Sequence, residues 1–431
     1  MKQLKEVQIG LLGLGVVGSG VWKLLQDNQS LLEQRMGCRL KIKKILVKDL
    51  KKKRKFSVPK EILTTQIEDI MDDPTISIVV ELMGGLSPAA TYLHQALSKG
   101  KHVVTANKAL LSEKGGELFS LAHQKGVSLG FEASVAGGIP ILKSIREGFV
   151  ANKIEALYGI INGTSNYILS EMSEKEISFK EALKGAQEAG YAEQDPSLDI
   201  KGIDAAQKLS ILISLCYGVE PPKKGIYVEG IESITPLDIH FAQSLGYTIK
   251  LLAISKGHPG NIEARVHPTM IPSHHPLADV GGAFNAIYLK GDAVGETMFL
   301  GKGAGMMPTA SAVVSDIAMI AKGIPQNLFS SDGLAKASLM PMEELLSEYY
   351  LRFSVVDRPG VLGQIAKHLG DEEISISHVH QEHRLAGSKV PIVIMTHEAR
   401  EKNIKKAISK IDKLDVILDK TVLIRVQRLS S

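Results

Sequence analysis

The first third of the chain alternates short apolar runs with segments of helical periodicity. The runs that have the length and composition of buried strands are residues 7–13, 41–47, 76–84, 102–107 and 127–133. Between them, segments such as "AATYLHQALSKG" (residues 89–100) repeat apolar residues at the spacing of a helix face. Alternation of this kind predicts parallel strands joined by crossover helices, so we expect residues 1–130 to form an open α/β domain.

The middle of the chain has a different pattern, in which candidate strands and helices are segregated. The candidate strands are residues 153–162, 248–256 and 262–271. This segregation predicts an α+β second domain over residues 131–307. The segment 308–322, within "PTASAVVSDIAMIAKG", has the apolar content of a buried helix, and we expect it to return to the first domain.

The C-terminal part restarts after a stretch of linker composition at residues 323–346. From residue 347 to 428 the pattern predicts strand, helix, two strands, helix and strand, with the turn "DRPG" (residues 357–360) after the first strand. A βαββαβ order over this short span is that of a small ferredoxin-like domain.

Composition and charge narrow the function classes. With 431 residues the chain is too long for one core, and 44% hydrophobic and 23% charged residues are ordinary globular values. A formal net charge of +4 argues against a nucleic-acid partner. No apolar stretch approaches the roughly 18 residues of a membrane span. Cys38 and Cys216 show no metal-ligand or disulfide spacing, which favours a reduced, cytoplasmic environment.

The most informative local motif is "GLGVVG", which directly follows the first predicted strand and begins a helix. Gly13, Gly15 and Gly18 form the GxGxxG pattern of Rossmann-type dinucleotide-binding domains, where glycines allow a tight turn, approach of the pyrophosphate and close helix packing. The helix N-terminus would supply amide donors for the phosphates. The candidate cofactor residues here are Gly13, Leu14, Gly15, Val16, Val17 and Gly18. The alternative is a glycine-rich turn that binds no ligand.

A basic cluster follows the second predicted strand, where an NAD-specific fold places an acid for the ribose 2′-hydroxyl. Asp49 is present, but it lies between Lys48 and the run "KKKRK" at residues 51–55. The cluster favours a 2′-phosphate and hence NADP, with Lys48 as a candidate contact. A solvated basic loop is the alternative, and NAD is not excluded.

Four further motifs carry polar residues at strand ends or in loops. They are "TANKALL" with Thr105 and Lys108, "FEASVAGGIP" with Glu132, "INGTSNYIL" with Thr164, and "GYAEQDPSLDIKGIDAAQK" with Glu193, Asp199, Asp204 and Lys208. Each has an ordinary alternative: an exposed lysine, a helix-capping carboxylate or hinge, a polar turn, and an acidic surface loop followed by an Asp204/Lys208 surface pair.

Taken in order, these motifs and "GAGMMPTASAVVSD" (residues 303–316) closely resemble the homoserine dehydrogenases, over residues 7 to about 325. The segment "YYLRFSVVDRPGVLGQIA" (residues 349–366) resembles the beginning of an ACT domain, the regulatory module often appended to these enzymes. The resemblance implies reversible NAD(P)H-dependent reduction of L-aspartate 4-semialdehyde to L-homoserine, on the route to threonine, methionine and isoleucine. It also implies an amino-acid effector at the 357–360 turn and a homodimer or homotetramer.

Carried over motif by motif, the resemblance assigns roles to individual residues. It implies Lys208 as proton donor with Lys108 as its partner at the carbonyl and at the nicotinamide of the cofactor, and Glu193 as the ligand of the substrate's α-ammonium. The further implied residues are Asp199, Asp204 and Thr164 for the substrate and Thr105 and Gly303 for the cofactor. A monovalent cation, sodium first, is implied at Glu132 and the carbonyls of Val135, Gly137 and Ile139, an oxygen-only set that suits a hard cation.

Two other functions keep part of this pattern. Another NADP-dependent oxidoreductase of a small amino-acid-like aldehyde would retain the glycines and lysines without needing Glu193. A nucleotide and amino-acid sensor without turnover would have no use for Lys108 and Lys208. A departure from the family pattern is Gln194, where a proline is common, and it leaves the ligand residues intact.

Overall fold

The computed structural model of the protein describes residues 4–325, 334–381 and 389–429. The chain divides into two compact units, each built from three separated segments. Unit 1 comprises Met1–Leu157, Gln207–Lys224 and Asn285–Ala337, and unit 2 comprises Tyr158–Ala206, Gly225–Phe284 and Ser338–Ser431. These units do not coincide with the three predicted domains, so the boundaries near residues 130, 307 and 346 stay a prediction.

The helices and strands follow in chain order. Residues 5–160 form β1 (Lys5–Leu12), α1 (Val16–Asp27), α2 (Gln29–Met36), β2 (Cys38–Leu46), β3 (Leu63–Thr64), α3 (Glu68–Met71), β4 (Ile76–Glu81), α4 (Ala89–Ser98), β5 (His102–Thr105), α5 (Lys108–Gln124), β6 (Leu129–Gly130), α6 (Ile141–Lys143) and β7 (Ile154–Ile160). Residues 163–321 form α7 (Gly163–Lys175), α8 (Phe179–Glu188), α9 (Ser197–Ile200), α10 (Ile203–Tyr217), β8 (Tyr227–Val228), α11 (Pro236–Ser244), β9 (Tyr247–His258), β10 (Asn261–Pro272), β11 (Phe284–Gly291), β12 (Gly295–Lys302) and α12 (Met306–Ala321). Residues 346–426 form β13 (Leu346–Val356), α13 (Val361–Gly370), β14 (Ile376–Gln381), β15 (Lys389–Thr396), β16 (Ala399–Arg400), α14 (Glu401–Ile411) and β17 (Val422–Val426).

Unit 1 contains a six-stranded parallel sheet in the order β3-β2-β1-β4-β5-β6. The strand order reverses between β1 and β4, which is the position where open α/β sheets bind their ligands. The "GLGVVG" turn follows β1 at this point. The prediction of a doubly wound, Rossmann-type domain is therefore confirmed.

Helix α12 belongs to the core of unit 1. Its Val313 and Ile317 are fully buried in the same cluster as Val21 of α1 and Ile9 and Leu11 of β1. The helix expected at residues 308–322 thus packs on the parallel sheet domain, although it lies far along the chain. The apolar face of α12 accounts for this position, because an apolar helix face is stable only when another element covers it.

Strands β11 and β12 were not among the predicted strands. They are joined by a turn at residues 292–294, after which Gly295 has φ +73°. The Asn152 side chain accepts the Val294 N–H at 2.8 Å, and the Lys153 N–H donates to Asp292 at 2.9 Å. The groups that hold this turn lie more than a hundred residues away in the chain. The local sequence therefore gave little indication of a hairpin between β11 and β12.

In unit 2, six strands run in the order β9-β10-β17-β13-β15-β14, with β8 beside β10 and β16 beside β13. The elements β13, α13, β14, β15, α14 and β17 follow the βαββαβ order, so the ferredoxin-like prediction is confirmed. Its core lies between the sheet and the two helices, with Leu351 and Phe353 of β13 against Ile365 and Ile404. Strand β17 also pairs in parallel with β10, at Thr269 and Arg425.

The predicted linker is only partly within the described residues, because 326–333 lie outside them. Its later part is hydrogen-bonded to β10: the Ile262 N–H donates to Ser338 O, and the Met340 N–H donates to Ile262 O. Among the residues that the structure describes, no helix combines the length and apolar character needed to cross a membrane.

A buried arginine joins the ferredoxin-like segment to the rest of unit 2. Arg425 on β17 is 2% exposed, and its guanidinium donates two hydrogen bonds to Glu401 of α14, which is 0% exposed. A third nitrogen donates to Glu229, just after β8, at 2.9 Å. Because Arg425 and Glu401 are both removed from water, each charge depends on the other for stabilisation.

Arg425→Ala should lower the free energy of unfolding by about 3–5 kcal/mol, because it removes the buried partner of Glu401 and leaves only the half-exposed Lys405 beside that carboxylate. The double variant Arg425→Met with Glu401→Gln should recover most of that loss. Lys184→Ala, in the exposed pair with Glu188, is the surface control and should change stability by about 0.5 kcal/mol or less. Urea unfolding followed by circular dichroism measures all three, and equal losses for Arg425→Ala and Lys184→Ala would contradict the assignment.

Candidate active site

The turn after β1 requires glycine at two positions, and a third glycine leaves open space at the start of the helix. Gly13 has φ +98°, and a Cβ there would lie 2.9 Å from Leu82 O. A Cβ at Gly18 would collide with Gly13 O, so this glycine lets α1 pack on the strand. Gly15 is the N-cap of α1 without a side-chain capping bond, and a Cβ there would meet nothing within 4 Å. The helix thus presents its N-terminal amides to open space, an arrangement that suits phosphate groups.

A cavity of about 930 Å³ opens at this turn. Its lining includes Gly13, Leu14, Gly15, Val16, Lys48, Asp49, Lys52, Lys53, Arg54, Lys55 and Met306. The basic cluster and the glycine turn, which are separate motifs in the sequence, therefore face the same space. Val17 packs on the unit 1 core instead. The glycine cradle and the positive lining fit a nucleotide with its phosphates.

The basic cluster is not uniform in its contacts. The Arg54 guanidinium donates to the carbonyls of Asp49 and Lys52, at 2.7 and 2.9 Å, and so shapes the loop itself. The Asp49 carboxylate accepts the Lys51 N–H at 2.7 Å. Lys51 does not appear among the lining residues of this cavity, whereas Lys48 and Lys52 do.

Thr105 and Lys108 flank a hydrogen-bonded corner between β5 and α5. Thr105 Oγ1 donates to the Glu81 carboxylate at 2.7 Å and accepts the Asn107 N–H at 3.0 Å. Asn107 caps α5 by accepting the Leu110 N–H, and its amide donates to Gly85 O at 2.7 Å. Glu81, 0% exposed, also accepts the N–H groups of the two residues that follow Leu82. This network fixes the first residue of α5, which is Lys108.

Glu132 lies beside a second buried acid that the sequence analysis did not assign. Its N–H donates to Asp316 of α12 at 2.9 Å, and its carboxylate accepts the N–H groups of Leu142 and Lys143 at 3.0 and 2.8 Å. Glu132 is 5% exposed and Asp316 4%. Burial raises the pKa of both carboxyls well above the usual range, and the charge of Glu132 adds to the shift in the pKa of Asp316.

The loop after Glu132 is closely packed around the proposed cation ligands. Val135 and Ile139 are buried, and a Cβ at Gly137 would lie 2.9 Å from Gly303 O. A Cβ at Gly303 would collide with the amide of Asn285, so both positions require glycine. Within the described ranges no group of three or more His, Cys, Asp or Glu residues could hold a metal ion. The donors are carboxylate and carbonyl oxygens beside buried negative charge, which fits a hard monovalent cation.

The acidic segment of unit 2 is organised by Asn162, which lies between β7 and α7. The polar turn expected in "INGTSNYIL" is the first turn of helix α7. The Asn162 Nδ2 donates to Asp199 at 2.7 Å and to Asp204 at 2.9 Å. Thr164 Oγ1 donates to Tyr191 O at 2.7 Å, which ties α7 to the loop that carries Glu193. The Glu193 side chain is exposed, as are those of Asp195 and Lys201.

Helix α10 carries both Asp204 and Lys208. The two residues are four positions apart, which places them on one face of the helix. Asp204 is 6% exposed and Lys208 is 9% exposed. The surface-pair alternative for these two residues is therefore wrong. The early glycine and proline break the segment into an irregular loop and short α9 before α10 begins at Ile203.

Three site residues were not assigned from the sequence: Glu81, Asn162 and Asp316. Glu81 and Asp316 carried a detectable signal, since each is a single acid within an otherwise apolar strand or helix. Asn162 follows an apolar strand directly and precedes a helix, which is the position of an N-cap. Their partners lie far along the chain, so the sequence could not indicate what they bind.

Comparison with known proteins places these features in a family. Family models match residues 13–132 ("Homoserine dehydrogenase, NAD binding domain"), 140–318 ("Homoserine dehydrogenase") and 349–416 ("ACT domain"). The homoserine dehydrogenase of Helicobacter pylori is 47% identical over 98% of this chain and 99% of its own.

Solved structures agree with the sequence comparison. The crystal structure of a homoserine dehydrogenase from Thiobacillus denitrificans has a TM-score of 0.92 and 45% identity, covering 99% of both chains. A hyperthermophilic archaeal homoserine dehydrogenase mutant, solved in complex with NADPH, has a TM-score of 0.64 and 27% identity over 75% of this chain and 100% of its own. The sequence is 47% identical to a homoserine dehydrogenase over nearly its whole length, and it matches the family's NAD-binding domain as well as an ACT domain. These findings show that the chain belongs to the homoserine dehydrogenase family.

Proposed function

We propose that the protein catalyses the reversible NAD(P)H-dependent reduction of L-aspartate 4-semialdehyde to L-homoserine. The observation that carries the proposal is the burial of Asp204 and Lys208 on one face of α10, in a chain of this family. Lysine is seldom buried unless it is paired or has a function. A buried lysine provides the proton that a reduced carbonyl oxygen needs.

The chemistry divides between the cofactor and the chain. When bound, the reduced nicotinamide supplies a hydride to the aldehyde carbon. Negative charge then develops on the aldehyde oxygen, and Lys208 donates the proton that neutralises it. Asp204, one helical turn before Lys208, stabilises the ammonium form. Lys108 adds positive charge, and the Thr105–Asn107 corner holds it at the start of α5.

The substrate's amino-acid end is recognised by acids of the 190–204 segment. Glu193 binds the α-ammonium, and its exposed side chain is reachable by a ligand from solvent. Asp199 and Asp204 supply further carboxylates, held by the Asn162 amide. Thr164 fixes the loop before Glu193 through its bond to Tyr191 O.

NADP is the preferred cofactor. The support is the cavity lining, in which Lys48 and Lys52 face the same space as Gly13 and Gly15. Asp49, the one acid in position for a ribose 2′-hydroxyl, accepts the Lys51 N–H. The archaeal relative was solved with NADPH, which agrees with this preference. Gly303 contributes at the nicotinamide end, and Thr105, which is fully buried, acts there through the corner that it forms with Asn107.

A sodium ion binds at Glu132 and the carbonyls of Val135, Gly137 and Ile139, in a structural role. It is supported by the two buried acids Glu132 and Asp316, whose charges a cation would offset. The domain organisation that we propose is a cofactor domain (1–130) to which helix 308–322 returns, a substrate and dimerisation domain (131–307) and an ACT domain (347–428). The protein assembles as a homodimer or homotetramer.

The ACT domain regulates the enzyme by binding an amino acid. Helix α13 begins after Gly360, which has φ +87° and makes no side-chain capping bond. The N-cap residue therefore supplies no acceptor to the first amides of the helix, and a carboxylate can bind there. Threonine, an end product of the pathway, is the effector that we propose.

Lys208→Ala should lower kcat for homoserine oxidation by about 100-fold or more, because the proton donor is lost. NADPH binding, measured by fluorescence, should stay unchanged. Lys201→Ala, an exposed lysine seven positions earlier, is the matched control and should keep full activity. Full activity of Lys208→Ala at neutral pH would remove this residue from the mechanism.

Replacing Lys48 and Lys52 together by Ala should weaken NADPH binding by about 1–3 kcal/mol and leave NADH binding unchanged, because charge-assisted bonds to the 2′-phosphate are lost. Lys51→Ala is the matched control within the same basic run and should leave both affinities unchanged. Fluorescence titration with each dinucleotide measures the effect. Equal losses for NADPH and NADH would show that the cluster does not recognise a 2′-phosphate.

Threonine should lower kcat for homoserine oxidation without raising KM, since it binds away from the substrate. Gly360→Val should abolish that inhibition and keep basal activity, because a β-branched residue is strained at φ +87°. Gly363→Ala, where a Cβ meets nothing within 4 Å, is the control and should respond as the wild type does. Calorimetry on the full chain that detects no heat with threonine, isoleucine or methionine would leave the domain an assembly element.

A further inference from the structure

Asn162 makes hydrogen bonds to three different elements of unit 2. It lies between β7 and α7 and is 5% exposed. Its Oδ1 accepts the Ser165 N–H at 2.8 Å and caps α7. Its Nδ2 donates to Asp199 of α9 at 2.7 Å and to Asp204 of α10 at 2.9 Å. The oxygen of this amide group thus caps a helix, and its nitrogen donates to two acids.

These partners fix the orientation of the amide. If the group were flipped, its oxygen would face two carboxylates and its nitrogen would face the Ser165 N–H, so all three bonds would be lost. Because three hydrogen bonds hold the Asn162 side chain in one orientation, it holds the two acids in fixed positions. Ser165 adds a second tie, because its Oγ donates to Asp199 O at 2.9 Å.

The bridge holds together two groups that would otherwise separate. Two carboxylates that approach one donor repel each other, and the repulsion is strongest where water is excluded. Asp204 is 6% exposed, so this repulsion is poorly screened at its carboxylate. The Asn162 amide supplies the partial positive charge that lets both acids stay together at the N-terminal end of α7. It also anchors the first turn of α10, the helix that carries Lys208.

We propose that Asn162 is a positioning residue for substrate binding, which acts by holding Asp199 and Asp204 as a pair at the amino-acid end of the substrate. The proposal rests on the homoserine dehydrogenase activity proposed above. A residue that only capped α7 would need its Oδ1 and not its Nδ2. The two roles can therefore be separated by substitution.

Asn162→Asp is the informative variant, because aspartate is an equally good N-cap but carries no donor for the two acids. The expected result is a folded protein with unchanged NADPH affinity, a KM for homoserine raised about tenfold or more, and a lower kcat. Asn162→Ser, which keeps a capping oxygen and one donor, should lie between wild type and Asn162→Asp in KM. It also serves as the second variant if Asn162→Asp does not fold.

Rescue distinguishes positioning from general structure. In the double variant Asn162→Asp with Asp199→Asn, the amide and carboxylate exchange places and one bridge is restored. The thermal midpoint should therefore return toward the wild-type value, while KM for homoserine stays raised because the Asp199 carboxylate is lost to the substrate. Ser178→Ala is the matched control, since it removes the side-chain cap of α8 and leaves the bridge intact. Its thermal midpoint should fall while its KM for homoserine stays at the wild-type value.

Two results would overturn the proposal while the wild type oxidises homoserine normally. One is an Asn162→Asp variant with unchanged KM and kcat. The other is a pair of Asn162→Asp and Ser178→Ala variants that lose activity equally, in proportion to their loss of thermal stability. A wild-type protein that does not oxidise homoserine with either dinucleotide would instead contradict the proposed function itself.

Discussion

Burial of charge is the constraint on which much of this structure depends. A charged group taken out of water must have a partner of opposite charge or several hydrogen-bond donors, since its desolvation is otherwise too costly. Here the partners come from other segments: Thr105 donates to Glu81, the Glu132 N–H donates to the Asp316 carboxylate, and Arg425 binds Glu401. Each such contact joins two elements at a defined distance. The contact between Glu81 and Thr105 also fixes the start of α5, where Lys108 lies.

The features that depend on neighbouring residues could be predicted from the sequence. The turn at Gly13 to Gly18 needs only a strand, three glycines and a helix in succession. Gly13 and Gly18 have the steric reasons expected of them, and Gly15 leaves open space at the start of α1. The βαββαβ order of residues 347–428 followed from hydrophobic period and turn residues. The pairing of Asn162 with Asp199 and Asp204 spans 37 and 42 residues, and that of Glu132 with Asp316 spans 184. The periodicity of hydrophobic residues indicates local secondary structure, and it does not indicate which residues meet when they are so far apart in the chain.

The basic loop shows why residue type alone does not define a binding contact. In the sequence, Lys51, Lys52 and Arg54 are equivalent positive charges in one run. In the structure, Arg54 is committed to carbonyl groups of its own loop, and Lys52 lines the cavity beside the glycine turn. The planar guanidinium suits the first task because it can bind several carbonyls at once, whereas a flexible lysine can follow a phosphate. The same composition therefore divides into a structural part and a ligand-facing part.

The position of the ACT domain within unit 2 bears on regulation. Its strand β17 pairs with β10, β10 pairs with β8, and the chain leaving β8 reaches α9, where the Ile231 N–H donates to Ile200 O at 2.9 Å. Ile200 is the residue next to Asp199. The backbone also lies close to α9 at Gly230, since a Cβ there would collide with Ile200 O. Packed elements of this kind transmit a displacement only if they have two arrangements that an effector can distinguish. The Ile231–Ile200 contact is therefore a route by which a shift of β17 could reach Asp199, for which a substrate role is proposed, whereas a change confined to the 357–360 turn would leave Asp199 where it is.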